Sequence, residues 1–192
     1  MKELIELANK IKDKDLRKKT IEMLKDASIS NKSMKYPKAD LEKVPAWIGT
    51  HHSYEGGLIK HTLSVTRLAL DLADTFEKTY KTKVNRDFII SGALLHDIMK
   101  VFILKKHNNN WTFTGCILDH ALFSAAELYA RNFPEEVVHI VGSHGGDLGA
   151  TGANPKTIEA QIVLQADVID AAIDTEINPP KPSLQFMLMG EE

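Results

Sequence analysis

A histidine and an aspartate stand side by side, as His96-Asp97, near the end of an apolar run that begins at Phe88. Read at helical period, this pair shares a stripe with Ile89, and Lys100 follows one turn later. A carboxylate buried in apolar surroundings is costly unless it is paired or coordinates a metal, so this segment requires a nearby cation. Two interpretations fit these residues alone: a metal centre, or a core histidine satisfied by the neighbouring aspartate.

Polar residues on two other apolar helical faces favour the metal centre. His61 precedes Val65 by four residues on the inward stripe of a predicted helix, and Asp167 lies on the apolar stripe of another. Two imidazoles and two carboxylates suit iron, manganese, zinc or magnesium better than copper or an iron-sulfur cluster. The predicted first set of metal ligands is His61, His96, Asp97 and Asp167.

A second ion would need further ligands, and His120 and His144 are the candidates. His120 would be the first residue of a helix capped by Asp119. If Asp97 bridges, two ions ~3.5 to 4 Å apart can share a hydroxide nucleophile and neutralise a phosphoryl group during in-line displacement. Asp97 and Lys100 are therefore the candidate catalytic residues, with Lys100 as a fixed positive charge beside the phosphate. A site that holds only one ion is the alternative.

The other histidines have different predicted roles. His51 and His52 precede a glycine turn, and together with Lys100 they are the candidate substrate-binding residues. Either histidine could protonate the leaving oxygen, because an imidazole titrates near neutral pH, or both could simply pack the turn. His107 is predicted to lie at the surface, and His139 to point away from the face that carries the metal ligands.

Composition limits the classes of protein that fit. The chain has 192 residues, which suits one domain. Its 24 basic and 26 acidic residues give a formal charge of -2, without a footprint for nucleic acid or an anionic membrane. A single cysteine, Cys116, excludes an internal disulfide and suits a reducing compartment. With neither a run of ~18 apolar residues nor a signal-peptide pattern, we expect a cytoplasmic protein without a membrane partner.

Helical periodicity dominates the chain, so we expect an all-α fold, a helical bundle with one small β-hairpin. Predicted helices cover 2–25 and 57–78 and begin again near 88, 120, 134 and 155, with Asp87 as the cap of the central one and a short turn at 45–48. The hairpin surrounds the Asn-rich turn 107–110. A single domain, 1–192, would consist of an N-terminal helix (1–26), a core (47–175) and a tail (176–192) that packs back or mediates assembly. The glycine-rich loop 145–154 is a linker or a lid.

The ordered residues His61, His96-Asp97 and Asp167 resemble the pattern His…His-Asp…Asp of the HD superfamily of metal-dependent phosphohydrolases, over roughly residues 47–175. His120 and His144 resemble the additional histidines of its two-metal members. The resemblance implies a helical fold, hydrolysis of a phosphate ester and two divalent metal ions, with Fe2+ or Mn2+ favoured over Zn2+ or Mg2+. Met99 replaces the glycine of the usual His-Asp-Ile-Gly-Lys segment, which could narrow the pocket or shift the following lysine.

Two subgroups of that family are similar to the chain. The segments 51–65, 92–97 and 143–145 resemble the HD domain of YhaM-type 3'-5' exoribonucleases. Those enzymes carry an additional OB domain that binds nucleic acid, whereas only a short helix precedes the HD region here. That difference and the near-neutral charge count against polymeric RNA. Size and layout are similar instead to compact archaeal HD enzymes of methanopterin biosynthesis, which implies iron(II) and 7,8-dihydroneopterin 2',3'-cyclic phosphate as substrate.

We therefore expect a metal-dependent phosphodiesterase that hydrolyses a small cyclic phosphate ester through a metal-bound hydroxide. Its partner would be a small-molecule phosphate ester. The first alternative is a YhaM-like exoribonuclease acting on single-stranded RNA. The second is a non-enzymatic ligand sensor on an HD scaffold, although a sensor would not need a complete set of ligands around an open nucleophile position.

Overall fold

Helices make up most of the structure, a computed structural model that describes residues 1–146 and 151–179. In chain order the elements are α1 (Lys2–Ala8), α2 (Lys14–Lys25), α3 (Gly57–Tyr80), α4 (Arg86–Leu95), α5 (Lys100–Ile103), β1 (Leu104–His107), β2 (Asn110–Phe113), α6 (His120–Ala130), α7 (Glu135–Ser143) and α8 (Ile158–Ile177). The predicted all-α fold with one hairpin is confirmed. Within the described ranges, no helix is both long and apolar enough to cross a membrane. The tail from residue 180 onward and positions 147–150 of the glycine-rich loop lie outside these ranges.

The long helix α3 is central to the bundle and packs against α4 and α8. Its inward face carries small residues, including the fully buried Ala69 and Ala73, which allow neighbouring helices to approach closely. Helix α4 is buried on nearly every side and contacts α7 as well, which explains its almost continuous apolar sequence. Polar side chains on the inward faces of these helices can therefore meet only inside the bundle, where unpaired charge is unfavourable.

The N-terminal segment forms two helices, so the predicted single helix over 2–25 is wrong. Helix α1 ends at Ala8, and Asp13 caps α2 by accepting a hydrogen bond from Leu16 N at 2.8 Å. The carboxylate of Asp87 accepts from the backbone N–H of residues 12 and 13, at 2.9 and 2.8 Å. Asp87 is therefore occupied by this turn, and Asn85 caps α4 in its place. The cap at Asp13 begins a new helix at a point where apolar periodicity alone predicts that the first helix continues.

The central helix also ends earlier than predicted, because α4 stops at Leu95. His96 and Asp97 lie in a tight turn, in which Lys100 N donates to Asp97 O at 3.0 Å before the short helix α5 begins. The prediction of one continuous helical stripe from Ile89 to Lys100 is therefore wrong, although the side chains assigned to that stripe are all buried. The turn lets two adjacent residues face the same centre, which consecutive positions of a helix do not.

Other predicted boundaries are largely correct. The hairpin pairs Leu104 with Phe113, and its two turn residues, Asn108 and Asn109, have φ angles of 47° and 66°, as type I′ turns require. Asp119 caps α6 as predicted, accepting from the backbone of the first helical turn. Helix α8 begins slightly later than predicted, after the cap Thr157. The expected helical turn at 45–48 is instead a bend.

Close packing between α4 and α7 leads to a test at Gly92. A Cβ at this position would lie 2.4 Å from Cγ2 and 3.0 Å from Cβ of the buried Ile140. Gly92→Ala should therefore lower the free energy of unfolding by about 1 to 3 kcal/mol through overpacking. Urea denaturation measures the change.

The control for this test is Gly142→Ala, since Gly142 lies in α7 and a Cβ there would meet Ala125 Cβ at an ordinary 3.5 Å. Alanine at Gly142 should leave stability unchanged or raise it by up to about 1 kcal/mol, because alanine favours helix. Equal stabilities for the two variants would contradict the tight packing of α4 on α7.

Candidate metal centre

Two pairs of imidazoles converge on the carboxylate of Asp97. In one pair, Nε2 of His61 lies 3.2 Å from Nε2 of His96. In the other, Nε2 of His120 lies 3.2 Å from Nε2 of His144. Oδ2 of Asp97 is 3.5 Å and 3.3 Å from the first pair, and Oδ1 is 3.5 Å and 3.7 Å from the second. Each oxygen of one carboxylate therefore faces a different pair of histidines.

Asp167 completes the cluster from α8. Its Oδ1 lies 3.1 Å from His61 Nε2 and 4.0 Å from His96 Nε2, and its side chain is 18% exposed. Asp167 thus lies on the side of the first imidazole pair, as the sequence predicted. The structure brings every predicted metal ligand into one cluster, contributed by α3, the turn after α4, and the helices α6, α7 and α8.

Backbone hydrogen bonds orient two of the histidines. His96 Nδ1 lies 2.7 Å from Ala93 O, and His144 Nδ1 lies 2.7 Å from Val141 O. Each carbonyl belongs to the last turn of the helix that precedes the histidine, where carbonyl groups lack helical partners. A carbonyl can only accept, so Nδ1 carries the proton and Nε2 presents its lone pair to the centre.

Carboxylates lie beside Nδ1 of the other two histidines, on the side of each ring away from Asp97. His61 Nδ1 lies 2.7 Å from Asp170 Oδ2, an arrangement that fixes the ring and increases its basicity. His120 Nδ1 lies 3.1 Å from Asp119 Oδ2, but without the alignment of a hydrogen bond. The sequence analysis missed Asp170, although it follows Asp167 by three residues and therefore shares a face of α8.

The residues present fit a divalent metal. Within the described chain, Oδ1 of Asp97 is buried without a hydrogen-bond partner, which is unfavourable for a carboxylate oxygen unless a cation binds it. Ligand atoms within 4.8 Å of one another occur in two sets that share this aspartate: His61, His96 and Asp97, and Asp97, His120 and His144. Imidazole and carboxylate together suit first-row divalent ions.

Lys100 is buried beside the cluster. Its Nζ lies 2.5 Å from Asp97 Oδ2 and 5.1 Å from the centre of the Trp47 ring, within reach of a cation-π contact. Burial alone would raise the pKa of Asp97, but the charges of Lys100 and His96 outweigh burial and hold that pKa well below its usual value. Asp97 is therefore ionised at neutral pH, as a metal ligand must be.

The histidines of the cluster differ in their protonation. Burial lowers the pKa of His144 to about 4, so its imidazole is neutral at neutral pH. Burial acts in the same direction on His61, but the carboxylates of Asp167 and Asp170 outweigh it and raise the pKa of His61 to about 9. A metal that binds His61 must therefore displace a proton, so metal affinity should fall as the pH is lowered.

The two predicted substrate-binding histidines occupy different environments. His51 is half-buried, with its ring 4.7 Å from the His61 ring, and burial lowers its pKa to about 4. His52 is buried with a φ of 46°, and its backbone N–H donates to the carboxylate of Asp174. A Cβ at Gly57 would lie 2.0 Å from His52 O, so this close approach requires glycine.

Three further residues lie outside the cluster. His107 is exposed in the hairpin, and Nε2 of His139 accepts a hydrogen bond from Lys156 N at 2.8 Å. Both positions agree with the predictions for these histidines. Met99, which replaces the glycine usual in the family, is fully buried in the apolar core. The core therefore accommodates the larger side chain.

The fold and the cluster agree with the comparison against known families. The model of the HD domain matches residues 58–172, a range that includes every residue of the cluster. The chain belongs to the HD domain family. No solved structure gives a significant match.

Individual relatives divide into two kinds. The chain is 48% identical over 176 residues to the dihydroneopterin 2',3'-cyclic phosphate phosphodiesterase of Methanocaldococcus jannaschii, covering 91% of this chain and 70% of that protein. It is 33% identical over 146 residues to the 3'-5' exoribonuclease YhaM of Listeria innocua and 28% identical over 151 residues to that of Bacillus subtilis. The chain spans less than half of these exoribonucleases, 45% and 46% of their lengths.

Proposed function

We propose that this chain is a metal-dependent phosphodiesterase that hydrolyses a small cyclic phosphate ester, with 7,8-dihydroneopterin 2',3'-cyclic phosphate as the first candidate. The observation that carries the proposal is the position of Asp97, whose two carboxylate oxygens each face a pair of imidazole Nε2 atoms. Such a carboxylate suits a bridge between two ions. The substrate is inferred from the 48% identity to the archaeal phosphodiesterase.

The proposed ligand sets follow the two pairs of imidazoles. One ion would be held by His61, His96 and Asp167. The other would be held by His120 and His144, and Asp97 would contact both. When bound, divalent ions supply Lewis acidity toward phosphoryl oxygens and lower the pKa of a water molecule. Imidazole and carboxylate ligands serve all four ions, so we favour Fe2+ or Mn2+ over Zn2+ or Mg2+ only because the resemblance to the archaeal HD enzymes implies it.

Lys100 and His51 are proposed to act on the substrate. The ammonium group of Lys100, buried beside Asp97, adds a fixed positive charge where negative charge develops on the phosphoryl oxygens. His51 is more accessible than His52 and lies beside His61, so it is the better candidate for contact with the leaving oxygen. We assign His52 instead to holding the loop against α8 through Asp174.

The test is hydrolysis by metal-stripped protein reloaded anaerobically with each of the four metals. Substrates are dihydroneopterin 2',3'-cyclic phosphate, a nucleoside 2',3'-cyclic phosphate and single-stranded RNA, with products separated by chromatography. Opening of a cyclic ester to a monophosphate supports the proposal. Shortening of RNA without opening of either cyclic ester would favour the exoribonuclease, and stoichiometric metal binding without any hydrolysis would favour a ligand sensor.

Asp170 provides a test of how the first ion is held. Asp170→Asn removes the charge behind His61 while preserving its shape, and we expect metal affinity to fall by about 10- to 100-fold. Competition with a chromophoric chelator measures this directly, without turnover.

Asp174→Asn is the matched control for Asp170→Asn, since Asp174 is also a buried acid of α8 but contacts His52 rather than His61. Its metal affinity should equal that of the unmodified protein. Unchanged affinity in Asp170→Asn would contradict the orienting role of Asp170.

A further inference from the structure

A row of aromatic rings leads from the cluster toward the surface. The Trp47 ring centre lies 5.4 Å from that of His120, and the Phe113 ring centre lies 5.6 Å from that of Trp47 in an edge-on arrangement. Trp47 is partly buried, whereas Phe113 is 49% exposed at the end of β2. The row therefore connects His120, a partly buried histidine of the cluster, with a ring that solvent can reach.

The environment of Phe113 differs from that of other exposed aromatic side chains. Single exposed apolar residues are normal on protein surfaces, and Tyr80 at the end of α3 is 70% exposed. Tyr80 contacts only Phe76 among aromatic rings, whereas Phe113 contacts Trp47, which itself meets both His120 and Lys100. Phe113 is therefore an exposed ring that connects to the charged site through Trp47.

Both rings are held in place by the backbone around them. Phe113 ends the hairpin opposite Leu104, which is fully buried. Trp47 lies in a loop in which Ala46 N donates to His52 O at 3.2 Å, and Trp47 packs against the apolar core. A preorganised aromatic surface binds a planar ring with little loss of conformational entropy.

We propose that the exposed ring of Phe113, held edge-on by Trp47, is an aromatic platform on which the planar heterocycle of the substrate stacks while its cyclic phosphate lies against the histidine-aspartate cluster. This inference rests on the proposed function and deepens it, because it defines the substrate as a cyclic phosphate that carries a planar ring. Two ring-to-ring steps, of 5.4 and 5.6 Å, separate His120 from Phe113, and the sugar or polyol between phosphate and heterocycle would span this distance.

The test compares substrates with and without a planar ring. Phe113→Ala should raise KM for dihydroneopterin 2',3'-cyclic phosphate on the order of tenfold, since loss of one stacking partner typically weakens binding by such a factor. The value of kcat should change little, because stacking is made equally in ground and transition states. Neither constant should change for glycerol 1,2-cyclic phosphate, which carries no planar heterocycle to stack.

Two variants complete the design. Phe113→Tyr retains the ring and should restore the KM of the unmodified protein. Tyr80→Ala removes an exposed ring that is nineteen residues beyond His61 on α3, about 28 Å along the helix. This variant should leave KM and kcat unchanged for both substrates. Thermal unfolding checks that Phe113→Ala remains folded.

The outcomes separate this inference from the proposed function. An equal change in KM for both substrates, or no change for either, would overturn the platform while leaving the phosphodiesterase intact. If the unmodified protein opens none of the cyclic esters, including the nucleoside 2',3'-cyclic phosphate, the proposed function fails. Calorimetric binding of neopterin monophosphate to the metal-loaded protein then still tests the platform. Binding about tenfold weaker in Phe113→Ala supports the platform, and equal or undetectable binding in both proteins overturns it.

Discussion

Replacing Asp97 with alanine is expected to reduce phosphodiester hydrolysis by at least about 100-fold, the scale of losing a group that stabilises transition-state charge. The physical reason is its position, because Oδ2 faces His61 and His96 while Oδ1, otherwise without a partner, faces the second pair of histidines. No other described side chain faces both pairs in this way. Steady-state kinetics with saturating metal measure the loss in kcat/KM.

The alanine variant needs a companion, because it leaves the ammonium group of Lys100 buried without its carboxylate. Breaking a buried charge pair costs about 3 to 5 kcal/mol of stability. Asp97→Asn also removes the negative charge, but it keeps the volume and an amide oxygen that can accept from Lys100, so loss of activity in this variant at near-normal Tm reports the site rather than the fold. Substantial hydrolysis by folded Asp97→Asn would contradict the bridging role.

The double substitution His120→Ala/His144→Ala is expected to reduce the metal content from two ions per chain to one and turnover by about 100-fold or more. These imidazoles form the pair on the Oδ1 side of Asp97, with Nε2 atoms 3.2 Å apart. The pair on the Oδ2 side remains intact, so one ion should be retained. Elemental analysis after gel filtration gives the metal content, and kinetics on the same samples give the turnover.

His139→Ala is the matched control for the double substitution, since His139 lies on α7 but bonds to the backbone of Lys156. Its metal content and kcat should equal those of the unmodified protein. A single ion in the unmodified protein, or two ions retained in the double variant, would contradict a site with two metals.

The position of the histidine-aspartate cluster was largely predictable because polar residues on apolar helical faces must meet inside a bundle. His61 and Asp167 follow this rule, and the adjacent pair His96-Asp97 interrupts an apolar run in a way that only a partner or a cation can balance. Capping chemistry also predicted the start of α6, which places His120 at the cluster.

Contacts between distant parts of the chain determined features that helical periodicity could not predict. Helix α4 ends at Leu95 because the next residues turn to direct their side chains at one centre, a requirement of the site rather than of helix propensity. Asp87 became a partner for the turn before α2, a contact between residues more than seventy positions apart. The row from His120 to Phe113 joins three separate segments of the chain, so no local pattern in the sequence indicates it.

One titration tests the central claim most directly: hydrolysis of dihydroneopterin 2',3'-cyclic phosphate by metal-stripped protein, followed as Mn2+ or Fe2+ is added in known equivalents. We predict no turnover without metal, and a rise that saturates near two equivalents per chain in the unmodified protein but is absent in Asp97→Asn. Turnover that persists in excess chelator, or its absence at every ratio of metal to protein, would contradict a metal-dependent cyclic phosphodiesterase.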